Sequence, residues 1–402
     1  MWQDVQVCDK THWSLSLKRQ QTPDERYRLP DRTHSSFTEH PGARQETQEP
    51  DRTHRSPAGQ TRKRGGSALV NRQDSAAAVN QEEWQQFLKD YLDDVHRYGV
   101  DQGYERIWPF WKEGKIRESL FWRQWQRWED QLQERGAVTT AVHGRAIPLF
   151  WMEKGREIQL CMSWNVQRWY TLKGESRVEE AERILRVILN RADGGWHVDH
   201  IEEIKGDGAL SDETKETLST LEEPEDNLLP TLFVHGAGGY NSGRAIAYAE
   251  RYWNTANPAY PLFTDNCTNF ISQCLHAGGI PMLFSREQGK GWWMRGSGKG
   301  ANWSYSWTVA HSLYLLLKSG RPPMRAVAVP SVEQLEPGDI ICYDFNGDGR
   351  FQHNTIVVAK DANNMPLVNA NTTNSRLRYW DYRDSTAYTP QIRYAFFRIR
   401  GT

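Results

Sequence analysis

The amino-acid sequence predicts an α+β protein in which helices precede antiparallel strands twice along the chain. Three observations carry this. At 402 residues the chain exceeds the usual size of one domain, so two folded domains plus flexible segments are expected. Apolar residues recur at helical spacing early in residues 80–207 and again from residue 240 onward. Each helical stretch is followed by strand-like runs between turns rich in Gly, Asp and Asn. Helices followed by an antiparallel sheet are the order of an α+β domain.

Composition narrows the function classes. With 50 basic and 51 acidic residues the net charge is −1, which argues against a nucleic-acid partner for the folded domains. Five cysteines, at 8, 161, 267, 274 and 342, are too scattered for a disulfide framework, and no pair has zinc-ligand spacing. Reduced thiols and no cofactor are the expectation. The start, Met1-Trp2-Gln3-Asp4-Val5, lacks an apolar stretch behind a basic one, and no run approaches the ~20 apolar residues of a membrane span. A cytoplasmic location follows by default.

Residues 1–78 hold Arg, Gln, Thr, Ser and Pro with few branched aliphatics, and such a composition buries too little to offset chain entropy. They are expected to be disordered, with Pro-Asp-Arg-Thr-His occurring twice, at Pro30 and at Pro50. Residues 80–207 form the first folded domain. Phe121, Trp125, Trp128 and Leu132 fall at i, i+4, i+7 and i+11 on one helix face, widened by Trp122, so most of this tryptophan belongs to a core. Strands follow over 136–153, 155–172, 177–191 and 196–204, the last after the turn Asp193-Gly194-Gly195.

Residues 208–237 read as an acidic linker. It ends in His235-Gly236-Ala237-Gly238-Gly239, which resembles an esterase oxyanion loop, but a Gly-x-Ser-x-Gly elbow must then follow. Gly296-Ser297-Gly298-Lys299-Gly300 lacks both that spacing and a strand–helix setting, so a serine hydrolase is set aside.

Residues 238–402 carry the chemistry. Asn241 opens a helix bearing Ile246, Tyr248, Ala249, Tyr252 and Trp253. In Asp265-Asn266-Cys267-Thr268-Asn269-Phe270-Ile271 either Asp265 or Asn266 serves as N-cap, which puts Cys267 in the first turn of a helix ended by Gly278-Gly279. Unpaired amides and the helix dipole there favour a thiolate, so the thiol pKa is expected to fall from about 8.5 toward neutrality. Cys274, on the apolar stripe seven residues on, reads as core. A helix over about 306–318, a turn at Leu335-Glu336-Pro337-Gly338-Asp339 and a hairpin of strands 352–360 and 366–371 complete the domain. The hairpin brings His353 and Asn371 side by side, and a carboxamide that fixes the imidazole tautomer leaves the other ring nitrogen to take a thiol proton. Asp344-x-Asn346-x-Asp348-Gly349 matches half a calcium loop, but Thr355 stands where the bidentate glutamate is required. A turn is the simpler account.

The motifs Cys-Thr-Asn-Phe-x-Ser-Gln, Gly-Trp-Trp, Ser-Trp-Thr-Val-Ala, Gly-Asp-Ile, Tyr-Asp-Phe-x-Gly-Asp-Gly, His-x-Thr-Ile-Val and Asn-Ser-Arg occur here in order. Residues 238–400 thereby resemble the bacterial "putative amidase domain" family, whose fold is papain-like and related to the NlpC-type and CHAP wall hydrolases. The resemblance implies Cys267 as nucleophile and His353 as base. Where the family has Asn-Ala-His this chain has Asn369-Ala370-Asn371, and Asn371 is taken as the orienting residue. Asn266 or Asp265, with the Cys267 amide, is expected to stabilise the oxyanion. A peptide or amide substrate such as a peptidoglycan fragment follows from the family, and a catalytically idle binding module is the alternative. The preceding domain looks similar to the helical-then-sheet, NTF2-like or cystatin-like domains that accompany such enzymes.

Overall fold

In the computed structural model, residues 81–101, 106–111, 119–204, 239–296 and 300–400 are described. The segment 1–78, the linker 208–237 and Ser297 to Lys299 of the glycine-rich stretch lie outside the described residues. The protein is mixed α and β, with few helices and a mostly antiparallel sheet.

The first half begins with α1 (Gln81–Asp101) and α2 (Leu120–Arg135), followed by four strands, β1 (Val138–Lys154), β2 (Glu157–Leu172), β3 (Glu175–Ala192) and β4 (Gly195–Glu203). Ser119 caps α2 by accepting a hydrogen bond from the Trp122 amide, and Gly136, at φ 73°, ends it in the left-handed conformation. Both helices pack on one sheet face through a core that includes Trp84, Trp122, Trp125 and Trp164. Trp125 stacks on Trp164 at 5.8 Å and Phe121 tilts against it at 5.3 Å. The tryptophan stripe is core, as its spacing predicts.

In the second half come α3 (Ser242–Tyr252), α4 (Cys267–Ala277), a short ribbon of β5 (Met294–Arg295) and β6 (Asn302–Trp303), the one-turn α5 (Tyr305–Thr308) and α6 (Ala310–Lys318). The helix expected over 306–318 is thus broken at Val309, whose φ of −108° and ψ of 123° are extended. A β-branched residue tolerates that backbone well. The break leaves Trp307 buried, with its indole donating to Asn269 Oδ1 at 2.9 Å. The strands are β7 (Val327–Val329), β8 (Ile340–Asp344), β9 (His353–Lys360), β10 (Pro366–Ala370), β11 (Asn374–Tyr379) and β12 (Arg393–Arg398).

One ten-stranded sheet spans both halves in the order β1-β2-β3-β11-β10-β9-β8-β12-β7, with β4 also paired to β3. The junction is β3. At 18 residues it is long enough for two partners along one edge, β4 over Leu185–Ala192 and β11 at Glu180, Ala181 and Glu182. Polar contacts brace the junction. Arg135 at the end of α2 reaches Asp361 at 3.0 Å with both side chains buried, Asn374 donates to Glu182, and Arg376 joins Glu180 of β3 to Glu250 of α3. The turn between β10 and β11, which adjoins the candidate site, is therefore held from the first half of the chain.

The sheet of the second half has two covered faces. Cys342 and Ile356 meet α3, α4 and α6, whereas Ile341, Tyr343, Val357 and Val368 form a separate aromatic-rich cluster with Phe345 and Tyr382. This alternation decides where the functional side chains go.

Candidate active site

Cys267 is the first residue of α4 and is buried. Asn266 is the N-cap, but its side chain makes no capping bond. Instead Asn266 Oδ1 accepts from the Phe263 amide at 3.3 Å and the Asn269 carboxamide at 2.9 Å, while its Nδ2 donates to Asn371 Oδ1 at 2.7 Å. The cap comes from the β10–β11 turn: Thr372 Oγ1 accepts from the amides of Asn266 at 3.0 Å and Cys267 at 3.1 Å. Thr372 holds a φ of 93°, rare for a β-branched residue.

Asn371 is fixed at both ends, its Nδ2 donating to Trp253 O at 3.0 Å. Asn369, on the same strand face, turns to α3 and bonds Glu250 Oε1 at 2.8 Å. From β9, Asn354 Nδ2 reaches Thr268 Oγ1 at 2.9 Å, and that hydroxyl lies 3.6 Å from the Cys267 sulfur. The Cys267 sulfur thus lies beside Thr268 and Asn354, with Asn266, Asn371 and Thr372 linked about the helix start, whereas Cys274 and Cys342 sit in the apolar cluster.

Burial pushes the Cys267 thiol up. The Thr268 hydroxyl and the amides of Asn354 and Thr268 pull the other way, and Asp265 adds like-charge repulsion. The expected lowering at the helix start is absent because desolvation outweighs the terminal dipole. Cys267 rests as a neutral thiol.

His353 stands at the start of β9, directly opposite Tyr343 on β8. Alternation along the strand sends Asn354 toward α4 and His353 to the other side. There its Nε2 lies 3.2 Å from Tyr382 Oη, with Tyr343 and Phe345 beside the ring. The register reaches Asn369 opposite Ile356, so two residues further it sets Asn371 level with Asn354 rather than with His353. Without the register shift between Leu367 and Val368, Asn371 would lie level with Thr355, one residue further from His353. The structure thus brings Cys267, Asn266 and Asn371 together and directs the His353 ring away from the face on which α4 lies.

The other candidates fall elsewhere. Asp265 is half-buried just before the cap. Asp344 accepts from the amides of Gly347 at 2.8 Å, Asp348 at 3.3 Å and Gly349 at 2.7 Å, and Asp348 Oδ1 accepts from Arg350. The Asp344, Asn346, Asp348 loop is a turn closed on its own carboxylate. Among the described residues no cluster of three or more His, Cys, Asp or Glu is placed to hold a metal, and no helix is long and apolar enough to cross a membrane. Sequence reasoning missed Thr372, Asn354 and Thr268. For Thr372 and Asn354 the signal is the density of small polar residues at two strand ends, Asn369 to Asn374 and His353 to Thr355, and for Thr268 it is the place next to Cys267.

Of the expected oxyanion donors, the Cys267 amide is directed to Thr372 and one N–H of the Asn266 carboxamide to Asn371. What remains is a buried thiol at a helix start with polar side chains beside it. Residues 239–397 match the model of the family described as "Putative amidase domain". The second half of the chain therefore resembles an amidase, a hydrolase type. Two Bacillus subtilis (strain 168) proteins are similar to this region. "Uncharacterized protein YhbB" is 64% identical over 160 residues, covering 40% of this chain and 50% of that protein. "Uncharacterized protein YjcM" is 30% identical over 152 residues, covering 36% of this chain and 34% of that protein. The chain spans about half the length of the first and about a third of the second. Among solved structures, the crystal structure of the intermembrane space region of chloroplast protein ARC6 aligns with 31% of this chain and 97% of that one, at 7% identity and a TM-score of 0.25.

Proposed function

We propose that the second half of the chain is a cysteine-dependent amide hydrolase of papain-like type, related to the NlpC and CHAP enzymes, with peptidoglycan-type peptides as its substrate class. The observation that supports this best is the polar network at the Cys267 helix start, which packing alone does not call for, whereas Cys274 and Cys342 sit among apolar residues. In this reading the Cys267 sulfur attacks the amide carbonyl, the π pair moves to oxygen, and the collapsing intermediate expels the amine. His353 takes the thiol proton and delivers it to that amine, and water then hydrolyses the thioester. Because the resting thiol is neutral, proton removal accompanies attack rather than preceding it. For His353 to act as this base, the start of β9 has to turn its ring from Tyr382 toward α4.

The orientation of His353 favours a second reading, a module that binds wall peptides in the same cleft without cleaving them. Turnover of a panel of peptide amides and peptidoglycan stem peptides separates the two. The hydrolase reading expects release of amine, loss of it in Cys267→Ala, and a fall of about 10²-fold or more in His353→Ala. Undiminished turnover in Cys267→Ala would remove cysteine catalysis. Stem-peptide binding by calorimetry without cleavage would establish the binding module.

A further inference from the structure

The Cys267 amide, the usual oxyanion donor at such a helix start, has one proton, and that proton is directed to Thr372 Oγ1 at 3.1 Å. The Asn266 amide is directed to the same oxygen at 3.0 Å. A hydroxyl has two acceptor positions and one donor proton, so the two amides fill its lone pairs and leave the O–H pointing away from the helix. Among the described residues that proton has no acceptor. Thr372 is also half-exposed, whereas Cys267, Asn266 and Asn371 around it are buried. Accepting two hydrogen bonds polarises an O–H and makes it a stronger donor, and here the positive end of α4 stands behind it. The residue keeps this position at a φ of 93°, in a region where strained side chains gather at functional sites.

We propose that the Thr372 hydroxyl, relaying the helix amides, is the group that donates a hydrogen bond to the substrate oxygen as it becomes an oxyanion. The inference rests on the hydrolase reading of Cys267. Thr372 is then a catalytic residue, and the bland alternative is a remote helix cap with no part in the chemistry.

Thr372→Asp separates these. An aspartate accepts from both amides and caps a helix at least as well as threonine, but it has no proton to give. Thr372→Ser keeps the donor, and Thr372→Val removes donor and acceptor together. The probe is N-acetyl-alaninal. It adds reversibly to a thiol: the S–C bond forms, the carbonyl π pair goes to oxygen, and the thiol proton ends on that oxygen. Its affinity is read on the 402-residue chain as protection of Cys267 from iodoacetamide, measured by mass spectrometry. Expected are protection in Thr372→Ser within about threefold of the parent, and protection weakened about tenfold or more in Thr372→Asp and Thr372→Val. The iodoacetamide rate without aldehyde is measured in every variant and protection is expressed relative to it, because a carboxylate introduced at residue 372 disfavours the thiolate as Asp265 does. Full protection in Thr372→Asp overturns the donor role while leaving the nucleophile in place. A Cys267 that iodoacetamide does not label in the parent, and that aldehyde does not touch, overturns the hydrolase reading and the donor role with it.

Discussion

Helices α2 and α4 both start at a small polar residue ahead of an apolar stripe, but they are capped in different ways. For α2 the cap is local, with Ser119 accepting from Trp122 three residues on. For α4 the adjacent Asn266 is drawn into a network with Asn371, and the cap arrives from Thr372, more than a hundred residues away. A local cap contributes to one helix. A remote cap ties the start of α4 to a turn that is itself held by β3 and the first half of the chain. The comparison also extends to charge. Burial favours the neutral form of Glu129 on α2 and of Cys267 and Cys274 on α4.

The largest effect is expected from the remote arrangement. Asn371→Ala strips the partner from Asn266 Nδ2 and from the Trp253 carbonyl. Two polar groups left unpaired cost about 2–4 kcal/mol together. A lowered thermal midpoint with faster iodoacetamide labelling of Cys267 is the expected pair of results. A midpoint within 1 °C of the parent would mean that this network does not hold the α4 start.

Next in size is a pH effect on α2. Burial raises the Glu129 carboxyl from 4.5 to about 7, although the Tyr98 hydroxyl and the Trp125 indole both donate to it. A pKa raised by folding gives stability that is full below about 4.5 and is lost as pH rises to about 7. His96 works oppositely. Burial lowers its ring to about 4 while it accepts from the Trp164 indole, so its contribution is present above about 6.5 and fades as pH falls toward 4. The two slopes oppose each other in the shared window, each worth on the order of 2–3 kcal/mol. Urea unfolding of Glu129→Gln should therefore show stability rising with pH between about 4.5 and 6.5, where the parent is nearly flat. An unchanged profile would show that Glu129 ionises normally.

The features legible in the sequence are those fixed by neighbours. The tryptophan face of α2, all four strands after it, the hairpin of β9 and β10, and the placement of Cys267 at a helix start follow from spacing and turn residues close at hand. The features that were not legible depend on register and on distant partners. A shift of one residue in β10 moves Asn371 level with Asn354, and strand alternation sends His353 to Tyr382. Nothing near Cys267 in sequence announces Thr372, and a helix start alone could not reveal that burial would outweigh its dipole. The β3–β11 pairing was equally hidden, because the two strands are joined by no turn and only the full sheet sets their register.

The smallest effect sharpens the comparison from the other side. Ser119→Ala removes the side-chain acceptor for the Trp122 amide, and loss of such a cap costs about 1 kcal/mol. Because this bond closes within three residues, the loss should lower stability without reaching α4: Cys267 should label with iodoacetamide at the parent's rate, and aldehyde protection should be unchanged. The rates decide more than the midpoint does. If Ser119→Ala altered Cys267 as much as Asn371→Ala, the two helix starts would be coupled through the sheet they share. The local cap would then belong to the site's mechanics as fully as the remote one.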